Sequence, residues 1–163
     1  MYSIIDIEST GGKRQEESLI EIAIIKYNGN KILDIFSSLV KTKKFILPFV
    51  QKITGIYKKK LLFAPKFNKI YLRIINITEN TILVGHNIKF DYYILKLEFE
   101  RIGISFIRKK IDTIDLSKKI ITGINSYSLR RLCKSLFLPI KKKHRALEDA
   151  KATLNIFKKL IKK

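Results

Sequence analysis

Three short apolar runs at the start of the chain, two of them joined by a tight-turn dipeptide, restrict what it can become. Residues 2–7 and 19–27 are dense in isoleucine and have the length of buried strands. Asn28-Gly29 follows the second run and reads as a hairpin turn into a third strand over 32–40. The pattern predicts an antiparallel meander. Strands and helices then alternate. A short helix at 48–53 ends near Gly55, and Pro65 opens a longer one in which Phe67, Ile70, Tyr71, Ile74 and Ile75 recur at helical spacing. A buried strand over 81–85, a helix over 91–102 and a fifth strand over 104–107 follow. Helices near 116–121, 128–136 and 146–161 complete the chain, the last packing through Ala150, Leu154, Phe157 and Leu160. Hairpins followed by β-α-β-α units specify an α/β fold: a five-stranded mixed sheet, an antiparallel meander then parallel strands, flanked by helices.

No repeat, low-complexity stretch or Pro/Gly-rich linker divides the chain, so residues 1–163 read as one domain. At that length roughly two thirds of the unfolded surface is buried. An apolar fraction of 46% excludes a disordered chain. No apolar run approaches the ~18–20 residues that cross a bilayer, and Asp6 comes too early for a secretory signal. The single cysteine, Cys133, excludes an internal disulfide framework, fits a reducing cytoplasm and is expected to face the core from a helix. With only two histidines beside it, a structural zinc site is not expected. The net charge of +20 should draw the chain to polyanions. An AT-rich coding bias would give the same excess of Lys, Ile and Asn without any binding, so charge alone leaves both readings open.

Three stretches can carry chemistry. In Asp6-Ile-Glu8-Ser-Thr10-Gly11 the two acids lie two apart, so on a strand they project from one face, about 6.6 Å apart. Acids on an apolar central strand are costly to bury unless paired or bound to a cation. The competing reading ends the strand at Ile5 and leaves both acids in solvent. In His86-Asn87-Ile-Lys-Phe90-Asp91 the last acid follows a strand and opens a helix, where it is either a cap or a site residue. If the first and fourth strands are parallel neighbours, Asp6 and Asp91 meet beyond their carboxyl ends, where open α/β sheets bind ligands. In His144-Arg-Ala146-Leu-Glu-Asp149-Ala150 an acid in the first turn of the last helix follows a histidine in a lysine-rich loop. Dipole compensation and a solvated imidazole are the alternatives. Taken together, four carboxylates can hold two hard divalent cations about 3.5–4 Å apart, and an imidazole, which titrates near neutrality, can serve as base. Asp112 and Asp115 read as a cap and a first-turn acid. Lys141–Lys143 abuts His144 and is as much a candidate for phosphate contact as for solvated charge.

The three stretches resemble, in order and spacing, the three exonuclease motifs of the DEDDh branch of the DnaQ-like 3′→5′ exonucleases. Ile53-Thr54-Gly55-Ile56, Val84-Gly85-His86-Asn87, Asp112-Thr113 and Tyr127-Ser128-Leu129 resemble the segments between them, so nearly the whole chain is covered. Proofreading domains of bacterial DNA polymerase III are the most similar by pattern. The resemblance implies an RNase H-like fold in which Asp6, Glu8, Asp91 and Asp149 bind two Mg²⁺ or Mn²⁺ ions, Asp6 bridging them. His144 is the implied general base; Thr10 and Gly11 would contact the terminal 3′-OH, and His86 and Asn87 would line the substrate groove. Ser9 replaces a usual threonine. Gly12 stands where relatives commonly carry a bulky apolar wedge, which implies a weaker grip on the terminal base. The chain stops close after the last helix, and the tail by which proofreading subunits hold clamp and polymerase is expected to be missing.

The expected function is a two-metal 3′→5′ exonuclease that releases nucleoside monophosphates from single-stranded or frayed DNA 3′ ends in proofreading or repair, with a replicative DNA polymerase as a possible partner. The same chemistry on RNA 3′ ends, of the RNase T and oligoribonuclease type, is the alternative, because the motifs do not read the 2′-OH. A non-catalytic nucleic-acid or polymerase-binding module should have lost ligands; all five residues stand here.

Overall fold

The computed structural model describes residues 1–141 and 144–161. Strands β1 (Tyr2–Ser9), β2 (Leu19–Tyr27) and β3 (Ile32–Leu39) form the expected antiparallel meander. Helices α1 (Pro48–Thr54) and α2 (Phe67–Thr78) lead to β4 (Ile82–Gly85), which runs parallel to β1. Then come α3 (Ile88–Glu100), β5 (Lys110–Asp112), α4 (Thr113–Ile120), α5 (Leu129–Ser135) and α6 (Ala146–Leu160). The sheet order is β3-β2-β1-β4-β5, so the strand carrying Asp6 and Glu8 lies at its centre.

The apolar residues of β1 and β2 are buried because helices cover both faces of the sheet. Ile5, Ile7, Ile22 and Ile24 pack on the side of α2 and α3, with Ile74 and Phe99. Ile4, Ala23 and Ile25 pack on the other side against Ala150, Leu154 and Phe157 of α6. Burying each large apolar side chain contributes about 1.5–3 kcal/mol relative to exposure. Alternation along β1 therefore sends Asp6 and Glu8 to the α6 side, together with Ile4.

The fifth strand is not where the apolar run 104–107 predicts it. Phe106 is buried and stacks on Phe99 at a centroid distance of 4.4 Å, while Ile107 is exposed. That run plugs the α3 side of the core instead of joining the sheet. The strand is Lys110–Asp112, in register with Leu83, Val84 and Gly85. Three residues, two of them charged, carry no apolar strand signal. Helix α3 also begins earlier than expected, at Ile88, which puts Asp91 within its first turn. Gly85 makes that sharp entry possible: a Cβ there would lie 2.6 Å from Ile88 Cδ1. Cys133 is buried in the core, and Asp112 caps α4 by accepting from the Ile114 amide at 2.9 Å.

Candidate active site

Strand β1 outruns its parallel neighbour. Its pairing with β4 stops at Ile4, while its pairing with β2 continues to Ser9. Beyond β4 the sheet splits, and a crevice opens at the carboxyl end of the strands. The Ile7 amide, facing this gap, donates to Asp91 Oδ1 at 3.0 Å. Asp91 is thus held by α3 against the edge of β1, as a parallel β1–β4 pair requires.

Asp149 arrives from the opposite side, in the first turn of α6, and is 4% exposed. Its backbone amide closes the turn to Arg145 O, and its Oδ1 is buried with no hydrogen-bond partner. Asp6, Glu8, Asp91, Asp149 and His144 all line one cleft of about 290 Å³, together with His86 and Asn87. One oxygen each from Glu8 and Asp149 and a ring nitrogen of His144 lie within 4.8 Å of one another. His144 itself is exposed, with Nδ1 3.7 Å from Asp149 Oδ2, too long for a hydrogen bond. Its backbone amide is tied to Ile53 O at 3.3 Å.

Burial and mutual repulsion dominate the electrostatics. Burial, followed by repulsion from Asp91 and Asp149, holds the Asp6 carboxyl well above the usual range. Glu8 is pushed up to about 8 by burial and by Asp149, Glu21 and Asp91, against a weaker pull from Arg145. Burial raises Asp91 to about 8, although the Ile7 amide opposes it. Asp149 is also raised by burial, with His144 and Arg130 opposing. Carboxylates kept this unfavourable without a cation, one with an orphaned oxygen, fit hard divalent ions. Burial lowers the pKa of His86, whose Nδ1 sits 2.8 Å from Thr113 Oγ1.

Thr10 and Gly11 lie outside the cleft lining. The Thr10 side chain is buried and its Oγ1 accepts from the Ser18 amide at 3.0 Å. Gly11, at φ +73°, packs against α1, where a Cβ would stand 3.0 Å from Val50. Of the lysine run, Lys142 and Lys143 lie outside the described residues, and Lys141 pairs with Glu148 at 3.1 Å.

Sequence reasoning missed the pair that sets the position of α6. Glu21 on β2 is buried directly across from Glu8. It accepts from Arg145 Nε and Nη2 at 3.0 and 2.7 Å, and from the Ala146 amide at the helix start at 3.0 Å. A lone acid inside a run that reads as a buried strand demands a partner; nothing in the spacing says that the partner is Arg145.

The family model described as Exonuclease (RNase_T) matches residues 3–157. The chain is 33% identical over 163 residues to the 3′-5′ exonuclease DinG of Staphylococcus epidermidis, covering 99% of this chain and 18% of that protein. It is 31% identical to the PolC-type DNA polymerase III of Caldanaerobacter subterraneus subsp. tengcongensis, over 99% of this chain and 12% of that protein. The chain therefore spans less than a fifth of these curated relatives. Exonuclease X, solved in complex with 5′ overhanging duplex DNA, superposes with a TM-score of 0.77 at 25% identity, covering 99% of this chain and 92% of that one. Escherichia coli exonuclease I, in complex with a dT13 oligonucleotide, gives a TM-score of 0.85 over 98% of this chain and 40% of that one. At 19% identity that second likeness bears on the fold alone, which is RNase H-like as expected.

Proposed function

The chain belongs to the RNase T exonuclease family of metal-dependent nucleases, and we propose that it is a two-metal 3′→5′ exonuclease releasing nucleoside monophosphates from DNA 3′ ends. The observation that carries this reading is the convergence of four carboxylates, that of Asp149 with an orphaned buried oxygen, in one cleft at the split between β1 and β4. Asp6, Glu8, Asp91 and Asp149 would hold two Mg²⁺ or Mn²⁺ ions. When bound, such ions neutralise charge on the phosphate and lower the pKa of water.

The chain's own groups supply the remainder. His144, at the exposed rim beside Asp149, takes the proton of the attacking water. The new bond forms between water oxygen and phosphorus; the bond to the 3′-oxygen of the penultimate nucleotide breaks, that oxygen takes a proton from solvent water to leave as a hydroxyl, and His144 returns its proton to solvent. A terminal nucleoside 5′-monophosphate is released. His86 and Asn87 line the groove beside Asp91; for Thr10 and Gly11, which follow Glu8 but lie outside the cleft lining, a contact with the terminal 3′-OH rests on the family resemblance alone. DNA is favoured because the matched proteins include a DNA polymerase and an exonuclease solved with duplex DNA. A role in proofreading or repair, and a replicative polymerase as partner, rest on the same PolC likeness.

End-labelled DNA and RNA oligonucleotides incubated with Mg²⁺, Mn²⁺ or EDTA test the proposal. Shortening from the 3′ end that requires metal and proceeds faster on DNA is the expected result. Internal cleavage, or shortening in EDTA, contradicts it; faster RNA cleavage transfers the reading to RNA 3′ ends.

A further inference from the structure

Residues 35–78 hold nine lysines, one arginine and no acid, a charge that the cleft does not use. Within this stretch the excursion between β3 and α2 is pinned by a small core of its own, in which Ile46, Val50, Ile56 and Leu61 pack with Ile20 of β2. The chain neighbours of these anchors are left outside. Phe45 is 67% exposed, Tyr57 43% and Phe63 97%. Lys41 and Lys60 fasten the excursion, donating to Leu62 O at 2.8 Å and to Gly55 O at 2.7 Å. The Lys58 and Lys59 side chains, on a 3-10 turn between Tyr57 and Phe63, have no partner among the described residues. The excursion also touches the end of β1 past Glu8 and the cleft rim at His144. The Leu47 amide donates to Thr10 O at 3.0 Å, and Ile53 O accepts from the His144 amide at 3.3 Å.

We propose that this excursion is a docking surface for single-stranded nucleic acid, gripping the strand that leads away from the cleft through Tyr57, Lys58, Lys59 and Phe63. The inference rests on the exonuclease reading and adds to it a second contact region. Lysines free of acidic neighbours neutralise phosphates whatever the sequence and release counterions. Exposed rings stack on any base, since every base offers a π-face. Rings and lysines interleaved on a short turn suit a flexible strand better than a bilayer, which calls for a long helix with a continuous apolar face. An apolar protein partner would meet too many unpaired charges at the centre of the patch.

The test uses the whole chain. It contains no tryptophan, so Phe63→Trp installs a single reporter on the patch. In EDTA at low salt, a single strand long enough to pass beyond the cleft should quench it, with an affinity that weakens as salt rises. A dinucleotide and vesicles of anionic phospholipid should not. In parallel, the combined variant Lys58→Ala, Lys59→Ala, Phe63→Ala should lose about tenfold or more in kcat/KM on the long strand, while hydrolysis of the p-nitrophenyl ester of thymidine 5′-monophosphate persists. Quenching by vesicles but not by the strand, or unchanged long-strand kcat/KM with normal ester hydrolysis, overturns the docking surface. A wild-type chain that hydrolyses neither substrate overturns the exonuclease reading, and the quenching still decides whether the strand docks.

Discussion

Glu8 and Glu21 stand opposite each other on β1 and β2, one strand spacing apart, yet their surroundings differ completely. Glu21 is matched by the Arg145 guanidinium and by the first amide of α6, so its charge is neutralised where it is buried. Glu98 is settled in the same way, by Arg101 at 2.7 Å, the Ser18 hydroxyl and the Leu19 amide. Glu8 feels only a weak pull from Arg145; burial and the neighbouring acids raise its pKa, as they raise that of Asp6. A buried acid with its partners built in holds elements together. A set of buried acids short of such partners is held against its own electrostatics by the packing around it, a cost that a bound cation would relieve.

The contrast breaks most visibly at Asp6. Asp6→Ala should cut nuclease turnover by on the order of 10³-fold or more, with the circular dichroism spectrum retained; near-normal turnover would place the chemistry elsewhere. His144→Ala should slow turnover by roughly 10²- to 10³-fold while Mn²⁺ affinity stays close to that of the wild type. On the structural side, Arg145→Ala strands the buried Glu21 charge and should cost about 3 kcal/mol of unfolding free energy. Glu21→Ala should cost less, because the freed Arg145 is already partly exposed and can reach water. Equal losses in denaturant titrations would mean that the pair matters through packing, not charge.

The smallest effect is on pH dependence. Glu8 and Asp91 have folded pKa values of about 8, against about 4 for unfolded carboxyls. The folded state therefore binds more protons between those limits, and unfolding free energy falls as pH rises. This stabilisation is complete below about pH 4 and is lost as pH climbs through about 8. In EDTA the thermal midpoint should drop by a few degrees from pH 5 to pH 8, whereas Mg²⁺ should flatten the decline by replacing the protons. A midpoint in EDTA that rises over that interval would contradict the assignment.

Much of the site was legible in the sequence because its signals are local. The two-residue spacing of Asp6 and Glu8, and the positions of Asp91 and Asp149 in helix first turns, are fixed by strand and helix geometry. The meeting of Asp6 with Asp91 depended on β1 and β4 being parallel neighbours, whereas that of Asp149 depended on where α6 docks on the sheet. What was not legible depends on tertiary partners. Phe106 could belong to a strand or to a plug, and only its stack on Phe99 settles the matter. Lys110–Asp112 becomes a strand because β4 offers an edge, not because of any apolar pattern. Arg145 finds Glu21 across a separation of more than a hundred residues, and no period records such a pairing.

The most direct test of the contrast is calorimetric titration of Mn²⁺ into the wild type, Asp6→Asn and Glu21→Gln. Binding that is lost in Asp6→Asn and kept in Glu21→Gln is the result expected from an ion-holding cleft beside a structural ion pair. Wild-type binding in Asp6→Asn would contradict it.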